Sequence, residues 1–163
     1  VSEERINECM RLYQNAIRYS EWVQQATHLP QGAPTYQTLI IDNVGMLSKL
    51  YYLAHVAFIG GGYAAGGIHN VLEAAVYGKP VIHGPVYEKY QEAVGLVNAG
   101  GSFVADNALV LEDYLNELFN NQEFYEKAAK AAAAYVQSQA GATDRIMEYL
   151  KKQIDASPMH RTV

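Results

Sequence analysis

Short uninterrupted apolar runs recur along the chain, and the stretches between them have helical spacing. "TLIIDN", "HVAFIGG", "KPVIHG" and "SFVAD" each hold consecutive apolar residues bounded by polar or glycine positions. That is the pattern of strands buried on both faces. A weaker alternation from Ile17 to about Glu21 reads as one more strand. The chain opens on a predicted helix, with Ser2 as N-cap, Glu3 and Glu4 in the first turn, and Ile6, Met10, Tyr13 and Ile17 at helical intervals. Met46, Leu50 and Leu53 predict a second helix. A third runs from near Ile68 to a C-cap at Gly78, and a fourth from Glu88 to Gly100. Three helical stretches close the chain, Leu109–Phe119, Gln122–Gln139 and Thr143–Ile154, with Asp106 as candidate N-cap of the first. "QQATHLPQGAPTYQ" reads as a loop.

Strands alternating with helices predict an α/β domain: a Rossmann-like parallel sheet with helices on both faces. Such a domain normally opens on a strand, whereas this chain opens on a helix. The expectation is a fragment whose first strand lies upstream. Residues 1–152 are expected to form one domain, and residues 153–163, "QIDASPMHRTV", a disordered tail.

Composition narrows the function classes. Half of the 163 residues are hydrophobic, enough for a sizeable core, and the formal net charge is −5 at pH 7. An acidic chain argues against general nucleic-acid binding but not against a nucleotide ligand, because backbone amides hold phosphate without net charge. The single Cys9 excludes an intrachain disulfide framework and a cysteine-based metal site. No apolar run approaches the roughly 20 residues that span a bilayer. Thirteen tyrosines against four phenylalanines predict many half-buried rings with the hydroxyl at the surface.

The candidate chemistry lies in "FIGGGYAAGGIHNVLEAAVYGKPVIHGP", residues 58–85, which holds seven glycines, the densest run of them at the crossover from a strand into a helix. Ligands of open parallel sheets sit outside the carboxyl ends of the strands, where this loop falls. Glycines there permit positive φ and close backbone approach. With a helix starting near Ile68, the amides of Gly67, Ile68 and His69 are expected to face an anion, and His69, Asn70 and Glu73 to share the helix's first turns. A carboxylate one turn in suits a pair of ribose hydroxyls. The alternative is a turn without a ligand, with His69 a cap and Glu73 a solvated acid. Gly60, Gly62 and Ala65 fit G-x-G-x-x-A, but the helix starts late for a dinucleotide fingerprint and the acid about 20 residues on is missing. No Gly-Lys-Ser/Thr triplet makes a P-loop, and His69, His83 and Glu73 match no zinc spacing.

"IGGG-YAA-GGIHNVLEAAVYGKPVIHGP" resembles the GT-B glycosyltransferases, most closely the bacterial 3-deoxy-D-manno-octulosonic acid (Kdo) transferases. Their pattern is Gly-Gly, a variable stretch, Gly-Gly-His-Asn, two residues, Glu, then Gly-Lys-Pro-Val and Gly-Pro. Ile68 is inserted before the histidine here. "IDNVGMLSKLYYLAHVAF" is similar to the stretch that precedes this motif in the family, and "QAGATDRIMEYL" to its terminal helix. The similarity is strong from Leu39 to Glu92.

The resemblance implies the C-terminal half of a two-domain enzyme that transfers Kdo from CMP-Kdo to lipid A precursor at the cytoplasmic face of the bacterial inner membrane, in lipopolysaccharide biosynthesis. This half would bind the donor. Acceptor site, catalytic base and membrane association would belong to the absent N-terminal part, so the fragment alone should be inactive. By resemblance Glu73 binds the ribose of CMP, and Asn70 phosphate or sugar. Gly61, Gly62, Gly66 and Gly67 form the backbone cradle, beside His69. Asn43, Val44 and Gly45 line the base pocket, and Gly84, Pro85 and Lys89 lie on the donor side of the cleft. Met46 stands where the family usually has Glu, and Lys89 where many members have Asn. No metal or other cofactor is implied, and no Asp-x-Asp triplet occurs. The other readings are a UDP-sugar donor domain of the same fold and a non-catalytic nucleotide-binding domain.

Overall fold

A computed structural model describes residues 2–26 and 35–156. Most of the predicted loop "QQATHLPQGAPTYQ" and the last seven residues lie outside the described residues. The chain forms two compact units, Val1–Leu50 and Tyr51–Val163.

In the first unit, helix α1 (Glu3–Leu12) starts at Ser2, whose Oγ accepts from the Arg5 amide. Strand β1 (Ala16–Arg18) pairs in parallel with β2 (Thr38–Ile40), Ile17 opposite Leu39. Ile6 and Ile17 are buried. Arg18 reaches back to α1, donating to Glu3 Oε2 at 3.0 Å and Asn7 Oδ1 at 2.7 Å. The strand expected to reach Glu21 stops at Arg18, and helix α2 (Tyr19–Ala26) begins at once. The cause is Asp42, beyond the end of β2. Its carboxylate accepts from the Ser20 amide at 3.1 Å and from the Ser20 hydroxyl at 2.5 Å, capping α2 from 22 residues away. Those bonds, the hydroxyl's first, hold the Asp42 carboxyl below its ordinary pKa, against the smaller opposing effect of desolvation. Helix α3 (Leu47–Leu53) follows where predicted.

The second unit is built on β4 (Val81–His83), buried along its whole length. It lies between β3 (Ala57–Ile59) and β5 (Ser102–Val104), all parallel, with Phe58 opposite Ile82 and Ile82 opposite Phe103. Alternation along the strands sends side chains to two cores. One gathers Ala57, Ile59, Val81, Leu96 and Ala132, the other Ile82, Ala105, Leu118 and Ala128. Helices therefore cover both faces: α4 (Leu72–Ala75) and α5 (Gln91–Ala99) pack on the first core, α6 (Ala108–Asn120) on the second, and α7 (Gln122–Gln139) contributes to both. Helix α8 (Ala142–Ala156) closes the described chain.

Three expectations are corrected here. The N-cap of α6 is Asn107, whose Oδ1 accepts from the amides of Leu109 and Val110, while Asp106 accepts from the Asn107 amide group. Helix α8 runs to Ala156, so residues 153–156, assigned to a disordered tail, are helical. The helix after the glycines starts at Leu72 and not near Ile68.

Candidate functional site

Residues 60–71, between β3 and α4, fold as a loop closed on itself. Gly61 and Ile68 form an antiparallel bridge, and His69 N donates to Gly60 O at 3.0 Å. Gly62 N donates to Gly67 O at 2.8 Å and Gly67 N to Ala64 O at 3.0 Å. This hairpin-like closure explains the late helix. Backbone groups expected to enter a helix at Gly67–His69 pair back across the loop instead. The amides of Gly67 and His69 are thus spent inside the loop, and the expected row of helix-start donors is not formed there. The loop is buttressed by β4's end: Gly62 and Gly84 are buried, and Gly62 O accepts from Val86 N at 2.9 Å. A Cβ on Gly62, whose own φ is +82°, would come within 2.9 Å of Gly84 backbone.

Asn70 and Glu73 are brought together. Asn70 Oδ1 accepts from Leu72 N at 3.0 Å and so starts α4, while its Nδ2 donates to Glu73 Oε1 at 3.1 Å. The exposed carboxylate is thereby aimed without being neutralised. Tyr51 feels it: burial first, and the Glu73 charge second, push the Tyr51 hydroxyl above its ordinary pKa. His69 is exposed, lies against Gly60, and is not on α4, so it does not share a helix face with Glu73.

Lys89 joins the loop from the other side. Its Nζ donates to the carbonyls of Ala65 at 3.3 Å and Gly66 at 3.2 Å. Tyr90 adds a bond from its hydroxyl to Gly66 O at 2.9 Å, and Tyr63 turns its hydroxyl onto Ala105 O, just past β5, at 2.8 Å. Tyr51, Tyr63 and Tyr90 were not singled out as site residues from the sequence. The signal available was the tyrosine excess, thirteen against four phenylalanines, since phenylalanine would fill the same space without a hydroxyl. Pro85 is exposed beside Gly84. Asn43, Val44 and Gly45 belong to the Val1–Leu50 unit. There they line an open cavity of about 340 Å³ with Ile41, Met46, Leu47 and Leu50. Among the described residues no group of three or more His, Cys, Asp or Glu is placed to hold a metal ion.

Under this loop His83 is fully buried. Its Nδ1 donates to Gly84 O at 2.9 Å, and Ser102 Oγ lies 3.5 Å from Nε2. Burial pushes its pKa below the ordinary 6.5, against a smaller upward pull from the Gly84 carbonyl. A depressed folded-state pKa means the neutral ring's stabilisation is complete above 6.5 and is lost as pH falls below that value. The melting temperature should therefore drop as pH falls below about 6.5, and His83→Asn should flatten that slope while retaining a donor for Gly84. An unchanged slope in a thermal-melt series would remove His83 as the cause.

The parallel sheet, with its glycine loop at the carboxyl end of β3 and helices on both faces, makes this a Rossmann-like domain of the kind that forms the C-terminal half of GT-B glycosyltransferases. No family model matches the chain. It is 31% identical over 119 residues to the 3-deoxy-D-manno-octulosonic acid transferase of Bordetella pertussis, covering 72% of this chain and 28% of that one. It is equally similar to the transferase of Chlamydia pneumoniae, with 71% and 27% covered. The crystal structure of the C-terminal CMP-Kdo binding domain of WaaA from Acinetobacter baumannii superposes with a TM-score of 0.66 and 26% identity, over 83% of this chain and 67% of that one. These similarities support a Kdo transferase C-terminal domain. The chain spans less than a third of the length of these two transferases.

Proposed function

We propose that this chain is the donor half of a Kdo transferase of lipopolysaccharide biosynthesis and binds CMP-Kdo. The observation that carries this is the glycine loop and Glu73, placed at the mouth of the parallel sheet in a chain similar to a CMP-Kdo binding domain. Glu73 accepts from the ribose hydroxyls of CMP. Asn70 fixes that carboxylate and meets the sugar or phosphate. The backbone of Gly61, Gly66 and Gly67 borders the phosphate, with Gly62 buried behind it and His69, Gly84 and Pro85 around it. Lys89 supplies the positive charge. A four-residue α4 contributes little dipole, so the leaving CMP is stabilised by preorganised loop dipoles and Lys89.

The acceptor in this reading is lipid A precursor. It binds, with the base that deprotonates its hydroxyl, in the part of the transferase that this chain does not span. Among the described residues no helix is long and apolar enough to cross a membrane. Attachment to the cytoplasmic face of the inner membrane is assigned to that other part too. Calorimetric titration of the chain with CMP and with UDP tests the donor. CMP should bind at least about tenfold more tightly, a difference of about 1.4 kcal/mol. Tighter UDP binding would move the domain to a UDP-sugar enzyme. Turnover of CMP-Kdo onto acceptor by this chain alone would overturn the division of labour.

A further inference from the structure

The tip of the glycine loop, residues 63–66, has little of its own to hold it. The internal bonds close the loop at its neck, from Gly60–His69 and Gly62–Gly67, and only Ala64 O is used nearer the tip. Gly61, Gly62 and Gly67 all sit at positive φ, a region glycine enters cheaply and leaves as cheaply. A backbone cradle in that state would have to be ordered by its ligand, at a cost in affinity.

Two phenols hold the tip from outside. Tyr63 reaches from the loop to Ala105 O past β5. Tyr90, half-buried at the start of α5, donates to Gly66 O. The Tyr90 ring also occupies the place a side chain on Gly67 would need, since a Cβ there would meet ring carbon Cε2 at 2.7 Å and the hydroxyl at 2.9 Å. Lys89 bonds Gly66 O as Tyr90 does, and Ala65 O besides, but as a cation. Among the described residues no carboxylate lies within ion-pair distance of it. An arriving anion competes for Lys89 and has no comparable pull on a neutral phenol that donates to a carbonyl.

We infer that Tyr63 and Tyr90 are positioning residues that hold the glycine loop in its ligand-ready shape, leaving Lys89 to exchange its loop carbonyls for the anionic group of the donor. This rests on the proposed CMP-Kdo site. The outer face of Gly66 stays open, with no heavy atom within 4 Å of a Cβ built there, so the latched carbonyls do not block the approach of a ligand.

The test uses the whole chain with Tyr63→Phe, Tyr90→Phe and the double variant, CMP as probe, and amide hydrogen exchange. Each single variant removes one hydroxyl and keeps the ring, so the fold should persist and the melting temperature fall by only a few degrees. Exchange at Gly62 and Gly67 should quicken about fivefold per lost bond, the equivalent of about 1 kcal/mol, while Ala57 and Val81 in the sheet stay protected. CMP affinity should fall by a similar factor. Unchanged loop exchange overturns the latch. Faster exchange with unchanged CMP affinity overturns the positioning role, because the loop would then be held for structure alone. A wild-type chain that fails to bind CMP overturns the reading of the site, and leaves the two tyrosines as structural latches without a ligand to position.

Discussion

Glu73→Ala is expected to weaken CMP binding by about 10- to 100-fold while leaving the melting temperature within a degree or two of wild type. A hydrogen bond to a charged group contributes about 1.5–3 kcal/mol, and each 1.4 kcal/mol is a factor of about ten in affinity. The stability side follows from exposure. Glu73 has no cation partner among the described residues, and its one bond, from Asn70 Nδ2, is replaced by water. Asn70 Oδ1 still accepts from Leu72 N, so α4 still starts where it does. Glu73→Gln should lose less, because an amide oxygen still accepts. The ribose assignment has its own check, a cycle with 2′-deoxy-CMP. If Glu73 reads the ribose, removing the 2′-hydroxyl should cost affinity in wild type and little in Glu73→Ala. Equal losses in both proteins would move Glu73 off the ribose.

What the sequence made legible was whatever depends on local pattern. The apolar runs at Ala57–Ile59, Val81–His83 and Ser102–Val104 became the parallel sheet, and the span Gln122–Gln139 became α7 with the same ends. The family pattern placed Asn70 and Glu73 together, and they are bonded. What escaped was set by contacts distant in sequence. Helix α2 is capped by Asp42, and no reading of residues 17–26 reveals a cap 22 residues away. The glycine loop pairs Gly61 with Ile68, which removes four residues from the expected helix and takes Gly67 and His69 amides out of any anion row. Tyr63 and Tyr90 each bond a carbonyl more than 20 residues away, so their hydroxyls read only as part of a tyrosine excess. Composition showed that hydroxyls were kept, and the fold shows which carbonyls hold them.

Gly84→Ala should destabilise the Tyr51–Val163 unit and disable the site together. A Cβ on Gly84 would stand 2.7 Å from Gly62 C, 2.8 Å from Gly62 O and 2.9 Å from Gly61 O. All three are backbone atoms, so no side chain can rotate aside. The position is buried, so the methyl group cannot escape to solvent. Relief requires the glycine loop to lift from the end of β4, which strains the Gly62 N–Gly67 O and Val86 N–Gly62 O bonds at once. Overpacking of this kind costs about 1–3 kcal/mol, or about 5–15 °C in melting temperature for a domain of this size. Gly66→Ala is the contrasting variant. No heavy atom lies within 4 Å of its Cβ, and its φ is not positive, so its melting temperature should match wild type within about 2 °C, as at an open surface position. Its methyl group stands on the open face of the loop, where a phosphate approaching the backbone would meet it, so CMP affinity should still fall. Calorimetric melts and CMP titrations of both variants separate the two effects. A Gly84→Ala chain that melts like wild type would show that the strand end and the loop are not in backbone contact. A Gly66→Ala chain that binds CMP as wild type does would place the phosphate away from the loop tip.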